Sequence, residues 1–196
     1  MKAVKQTFPT TLPIQLAAIK DHLRIEDSET VYDGDLTDLI RTAAEWIEAN
    51  CHITLISTEY LCYFDTFPES GELRLPLHPV SAIEEILYYD VDGASTELTT
   101  YQADLIDIPA KIYPAINATF PDTQAEKINA VSVELTAGYG INETFVPQLA
   151  KHLIKLLVAH WFKNREAVGV GVSKEIEFSA NELIKMLRRN EFEAFA

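Results

Sequence analysis

The 196-residue chain is poor in the features that would make it a membrane protein, a disulfide-stapled domain or a phosphate-gripping one. Its longest apolar run, Leu156–Phe162, falls far short of the ~20 residues that a membrane-spanning helix needs. The opening Met1–Gln6 holds two lysines and no apolar stretch of the signal-peptide kind. The two cysteines, Cys51 and Cys62, fit neither C-x-x-C nor zinc spacing, and in a reducing compartment they are expected as free, buried thiols. Basic residues are scarce: 16 Lys+Arg stand against 30 Asp+Glu, a formal net charge of −14. A surface of that sign repels polyanions at long range and counts against a binder that grips nucleic-acid phosphates. With 7 glycines and 9 prolines there is no low-complexity tract, and no internal repeat is present. These absences describe a soluble, acidic protein made inside the cell, with no membrane partner.

What is present is enough for a packed core. Hydrophobic residues make up 47% and charged residues 23%, an ordinary globular balance. At ~150 residues per domain the length suits one domain with an elaboration. Such a chain buries on the order of 70% of its unfolded surface and needs no metal or disulfide to fold. Charge is unevenly placed. Residues 1–145 hold 8 basic and 24 acidic side chains, whereas residues 146–196 hold 8 and 6. Glu26–Glu48 alone carries eight carboxylates against the single Arg41.

Periodicity divides the chain. Residues 1–11 read as a flexible arm. Pro13 suits a helix N1 position with Thr11 as cap, and Ile14, Ala17, Ala18 and Leu23 follow at helical spacing. After a polar break at Ser28–Asp33, Leu36, Leu39, Ile40, Ala43 and Ile47 form one stripe of a second helix, about Gly34–Asn50. Asp35 and Asp38 suit the positive end of its dipole. From Thr54 the period shortens. Thr58–Phe67, Glu72–Leu75, Ile83–Asp90, Thr96–Leu105 and Ala130–Thr136 read as strands, with a hairpin turn at Asp92-Gly93. Asp107–Thr123, holding Pro109, Pro114 and Pro121, reads as extended loop. Helix resumes at Pro147 and runs to about Ala167, roughly 30 Å. A last amphipathic helix, about Ser179–Arg189, carries Leu183, Ile184 and Leu187. The expected fold is therefore α+β: a helical bundle (two N-terminal helices, one long helix near 147–167, a C-terminal helix) formed by 12–53 and 145–196, with a small antiparallel β subdomain, 54–144, inserted.

No enzyme site stands out. His152 and His160 are eight residues apart, too far for a metalloprotease pair, and no H-E-x-x-H, G-x-S-x-G or Walker sequence occurs. Thr136-Ala137-Gly138-Tyr139-Gly140 and Gly169-Val170-Gly171 read as turns. Carboxylate pairs such as Glu84-Glu85 and Asp33/Asp35 are expected by chance among so many acids. No catalytic, cofactor or metal residue is assigned. The long helix is apolar over most of its circumference, which makes Leu153, Leu157, Trp161 and Phe162 a candidate subunit interface. Lys151, Lys155 and Lys163 form its polar stripe, which by spacing alone reads as the solvated side of the helix.

In order along the chain stand Leu16–Arg24 and Leu36–Asn50, then Leu73-Arg74-Leu75-Pro76-Leu77-His78-Pro79-Val80, then Val91-Asp92-Gly93. Ala137-Gly138-Tyr139-Gly140 and Val146-Pro147 follow, and the set ends on Ala159-His160-Trp161-Phe162-Lys163-Asn164-Arg165-Glu166-Ala167-Val168. This ordered set, over residues 12–190, resembles the head–tail connector (adaptor) proteins of tailed bacteriophages and prophages, in the larger subgroup with a β insertion. The resemblance implies a structural virion protein, made in the bacterial host cytoplasm, that assembles with itself in a ring of about twelve subunits. The ring would sit between the portal protein and a downstream tail or stopper protein, with DNA only in transit. It implies no catalytic residue and no cofactor. Lys151, Lys155 and Lys163 become candidates for the lumen, and the acids of Glu26–Glu48 and around Asp104 and Asp107 candidates for its repulsive wall. Arg188 and Arg189 become candidates for a portal contact, carried on a segment hinged at Gly169 and Gly171 that is expected to be mobile until it meets the portal. Two other classes stay open on the residues alone: a phage-encoded hydrolase using a carboxylate pair on the β unit, and an acidic, DNA-mimicking binding module.

Overall fold

A computed structural model describes residues 2–164 and 182–187; Gly169, Gly171, Arg188 and Arg189 lie outside the described residues. The chain is α+β with antiparallel sheets, and it divides into two compact units. One comprises residues 2–9 and Ser57–Gly138; the other comprises Thr10–Ile56 and the described chain from Tyr139 onward.

The β unit is built around β8 (Val131–Ala137), a strand whose residues are alternately buried and half-buried. The two-residue period places Val131, Val133, Leu135 and Ala137 on one inward face. On one side β8 pairs with β2 (Thr58–Phe64), whose Tyr60, Cys62 and Phe64 are buried likewise. On the other it pairs with β4 (Val80–Tyr89), and β5 (Ser95–Glu97) closes that edge. At the turn between them the Asp90 carboxylate accepts the N–H groups of Asp92 and Ala94 at 3.0 and 2.9 Å, and Gly93 takes φ +81°. The remaining edge is covered by β1 (Lys2–Lys5), antiparallel to β2 from Lys2↔Tyr63 to Lys5↔Tyr60. The opening residues are therefore not a free arm throughout. Four residues with two terminal lysines show no apolar signature, yet they satisfy the outer hydrogen-bonding groups of β2.

A second sheet has the order β3 (Leu73–Arg74), β7 (Lys111–Pro114), β6 (Tyr101–Asp104). Here too the expectation is corrected. Lys111–Pro114 lies within the stretch read as loop, but its prolines bound the strand rather than interrupt it, and Ile112 is wholly buried. The single strand expected over 96–105 is two, β5 and β6, in different sheets. Phe67 stacks on Phe120 at 4.6 Å and meets Tyr88 edge-on, closing the core of this unit.

In the helical unit, α1 (Leu16–Leu23) begins after Gln15, so Pro13 precedes the helix instead of opening it. Both α1 and α2 (Asp33–Cys51) end on residues in the left-handed region, Arg24 and His52. Leu36, Ile40, Ala43 and Ile47 make the buried stripe of α2. The third helix, α3 (Gln148–Lys163), presents Ala150, Leu153, Ile154, Leu157 and Val158 to the same core and packs against both α1 and α2. Contact with two helices accounts for the width of its apolar face, and it overturns the reading of Leu153 and Leu157 as interface: they are 0% and 6% exposed within their own unit. Trp161 and Phe162 are half-buried against that core, and Phe162 meets Tyr32 edge-on at 5.4 Å. Residues 182–187 are helical; Leu187 is buried and Leu183 and Ile184 pack beside it, so these residues rest on the core of this unit rather than hanging free of it.

Two outcomes follow from this packing. Leu153→Ala should lower unfolding free energy by about 2–5 kcal/mol in urea titration of the free chain, because it opens a cavity in a core that cannot collapse around it. Cys51 and Cys62 are buried thiols not joined in a disulfide, and burial pushes the Cys62 thiol up to about 12. Below its unfolded-state value near 9 the thiol is neutral in both states. Above it the unfolded chain ionises first, so the Cys62 contribution to stability is lost as pH rises from 9 toward 12. Wild type should then lose up to about 1.4 kcal/mol per pH unit more than Cys62→Ala, measured by urea titration at each pH.

Candidate functional site

The charged side chains, not a nucleophile or metal cluster, give the helical unit its chemistry. Of the α3 stripe, Lys151 and Lys155 are half-buried and Lys163 is exposed. Among the described residues none of the three is in an ion pair. Lys151 and Lys155 line a groove of about 540 Å³ together with Ile14, Gln15, Ala18, Glu143, Thr144, Gln148 and His152. Its one carboxylate is already engaged: the Gln15 amide donates to Glu143 at 2.7 Å. That hydrogen bond, then Glu143's own backbone N–H and the charge of Lys151, hold its carboxyl below the ordinary carboxylate value. On α1, partial burial pulls His22 below its ordinary value, and the charges of Lys155, His152 and Lys163 add to the effect. The α1–α3 side thus gathers three lysines against the single groove carboxylate of Glu143.

The acidic segment is put to two uses. Lys20, only 3% exposed, reaches from α1 to the Asp33 carboxylate at 2.7 Å and to the Asp27 carbonyl at 3.1 Å, which ties the connecting loop to the core. A buried ammonium is tolerated only with such partners. Glu48 accepts the Leu55 N–H at 2.8 Å. The others project: Glu26, Asp27, Glu29, Asp35, Asp38 and Glu45 are exposed. Asp38 and Glu45 lie on the side of α2 away from its buried stripe, with Arg41 between them in sequence.

Asp104 and Asp107, read as wall residues, are also structural. Asp104 accepts the N–H groups of Ile106 and Asp107 at 3.0 and 3.1 Å, and Asp107 pairs with Lys111 at 2.7 Å. The Lys111 hydrogen bond first, and the Ile108 N–H next, hold the Asp107 carboxyl below its ordinary value, while Asp107 raises Lys111 in return. Beside them Arg74 donates to Glu72 at 2.6 Å, and the Tyr113 hydroxyl, raised by burial and then by the charge of Glu72, lies 3.5 Å from it. A glycosidase-type acid needs a carboxyl pushed up. Here the carboxyl with a marked shift is pushed down by a lysine, so the cluster reads as a pin between β3 and β7. Among the described residues no group of three His, Cys, Asp or Glu is placed to hold a metal, and no helix is long and apolar enough to cross a membrane. Arg188 and Arg189, the candidate portal contacts, lie outside the described residues.

Residues 13–106 match the family model described as "Phage gp6-like head-tail connector protein". Solved structures share the fold across nearly the whole chain. A chain of the virion of a native gene transfer agent particle superposes with a TM-score of 0.79 at 21% identity, covering 97% of both chains. A chain from the neck of the native particle, computed with C12 symmetry, gives 0.75 at 22% identity and 97% of both chains. A chain from the neck of the empty particle, computed with C6 symmetry, gives 0.78 at 21% over the same shares. A search of curated protein sequences finds no match.

Proposed function

We propose that this chain, whose residues 13–106 match the model of the phage gp6-like head-tail connector family, is a structural protein of the virion that forms a ring between the portal and the tail and lets DNA pass. The observation that carries the reading is end-to-end likeness, over 97% of both chains, to a neck protein whose particle neck was computed with C12 symmetry. A ring of about twelve copies, with the portal on one side and a tail or stopper protein on the other, is the assembly this supports. The β unit is then mostly an insertion into a helical connector domain, completed by β1 from before the first helix, and the chain has no reaction to catalyse.

The charge fits transit rather than grip. Charge repulsion at physiological salt decays over ~8 Å, so an acidic wall repels a duplex that comes close while leaving it free to slide. The exposed Glu26 and Glu29 suit such a surface, because they are not consumed by internal ion pairs as Asp33 and Asp107 are.

Native mass spectrometry across a concentration series, with negative-stain imaging, should reveal a closed ring with a central hole. A compact monomer at every concentration would count against the reading. In fluorescence anisotropy at ~50 mM salt, where phosphate contacts are strongest, a duplex should show no measurable binding. Tight, salt-sensitive binding would remove the repulsive channel and return Lys151, Lys155 and Lys163 to the lumen.

A further inference from the structure

The described helical unit is electrically two-faced. Its α3 side carries Lys151, Lys155 and Lys163 without an ion pair among the described residues, beside a groove whose one carboxylate is held by Gln15. On α2 the exposed Asp38 and Glu45 lie opposite the buried stripe, also without an ion pair among the described residues. No residue of α2 lines the α1–α3 groove, so the two charged surfaces are separate. Within one copy they cannot neutralise each other.

A closed ring provides the missing partner. In a cyclic assembly every subunit uses two different surfaces, one toward each neighbour, whereas a two-fold dimer sets each surface against itself. A two-fold arrangement that pairs the two α3 faces would place lysines against lysines. The head-to-tail arrangement places them against carboxylates. Spacing agrees as well: Lys155 and Lys163 are about 12 Å apart along α3, and Asp38 and Glu45 about 10 Å apart along α2, at ~1.5 Å per residue. We propose that the Lys151–Lys155–Lys163 face of α3 receives the Asp38–Glu45 face of α2 from the next copy of the chain. Arg41 lies between Asp38 and Glu45 and leaves that face one net negative charge, Glu143 flanks the basic face, and neither reverses its sign. This interface rests on the ring reading above, and it assigns the α3 lysines to a subunit contact instead of to DNA.

The test is a charge swap in the full chain. Lys155→Glu with Lys163→Glu should weaken assembly roughly tenfold or more, as should Asp38→Lys with Glu45→Lys, read by sedimentation and native mass spectrometry. All four substitutions together should restore it, and circular dichroism verifies that each variant is folded. In mixed 14N- and 15N-labelled wild type, carbodiimide should join Lys155 or Lys163 of one copy to Asp38 or Glu45 of another. Wild-type rings that are indifferent to both reversals, or cross-linked only elsewhere, would overturn the interface and leave the ring standing. Rings that persist under Lys155→Glu/Lys163→Glu while residual duplex binding disappears would assign the lysines to the lumen. A wild-type chain that never assembles removes the ring, and this interface with it.

Discussion

The helical unit depends on one strip of α3. Ala150, Leu153, Ile154, Leu157 and Val158 must be covered, and a strip of that width cannot be covered by one helix. Both α1 and α2 are recruited to it, which fixes the residues of each that face inward. The same requirement turns Lys151, Lys155 and Lys163 away from the core. The charged stripe is thus a by-product of burial, and its sign is left for an outside partner to answer. A wide apolar helix is ambiguous between a core element and an interface. Here two neighbours within the unit consume the width, leaving an interface to be made from charge.

The acidic segment shows the same division between internal and external duty. Lys20 is buried on the core side of α1, and it is tolerated because Asp33 and the Asp27 carbonyl hold its ammonium. That contact holds the loop between α1 and α2. Glu48 does comparable work by capping the Leu55 N–H. Carboxylates of identical chemistry a few residues away, Asp38 and Glu45, have no such employment and remain at the surface. Sequence position alone does not separate the two groups. Register on α2 does, since Asp38 and Glu45 lie across the helix from Leu36, Ile40, Ala43 and Ile47.

Where the apolar period is long and clean, the fold is legible in the residues themselves. The stripe of α2 and the alternation of Val131, Val133 and Leu135 in β8 are both found where periodicity puts them. The elements that escape are short and held by something other than their own pattern. β1 has four residues and exists through hydrogen bonds to β2. β7 lies among prolines, and its signal is one buried Ile112. β5 and β6 read as one strand because nothing in Ser95–Asp104 reveals that the chain leaves one sheet for another. For the site, the lysine stripe is visible from its spacing. The groove beside it is not, because Gln15 and Glu143 are brought together across 128 residues of chain.

Net charge of −14 suggests a protein that repels everything acidic, its own copies included. Assembly in spite of that repulsion needs local attraction that outweighs it at short range, and screening supplies the condition. Beyond ~8 Å the global charge is largely hidden at physiological salt, while groups in contact still feel one another. A cationic strip within an acidic chain therefore matters more than its few charges suggest. It is where like-charged subunits can touch. Concentrating the positive charge on α3 and the negative charge on the far side of α2 makes contact favourable in the head-to-tail sense alone. Head-to-tail repetition about an axis either closes or grows without limit. On the proposed ring reading the closing angle sets the bore, so the distribution of charge over two helices would bear directly on whether the assembly is a channel.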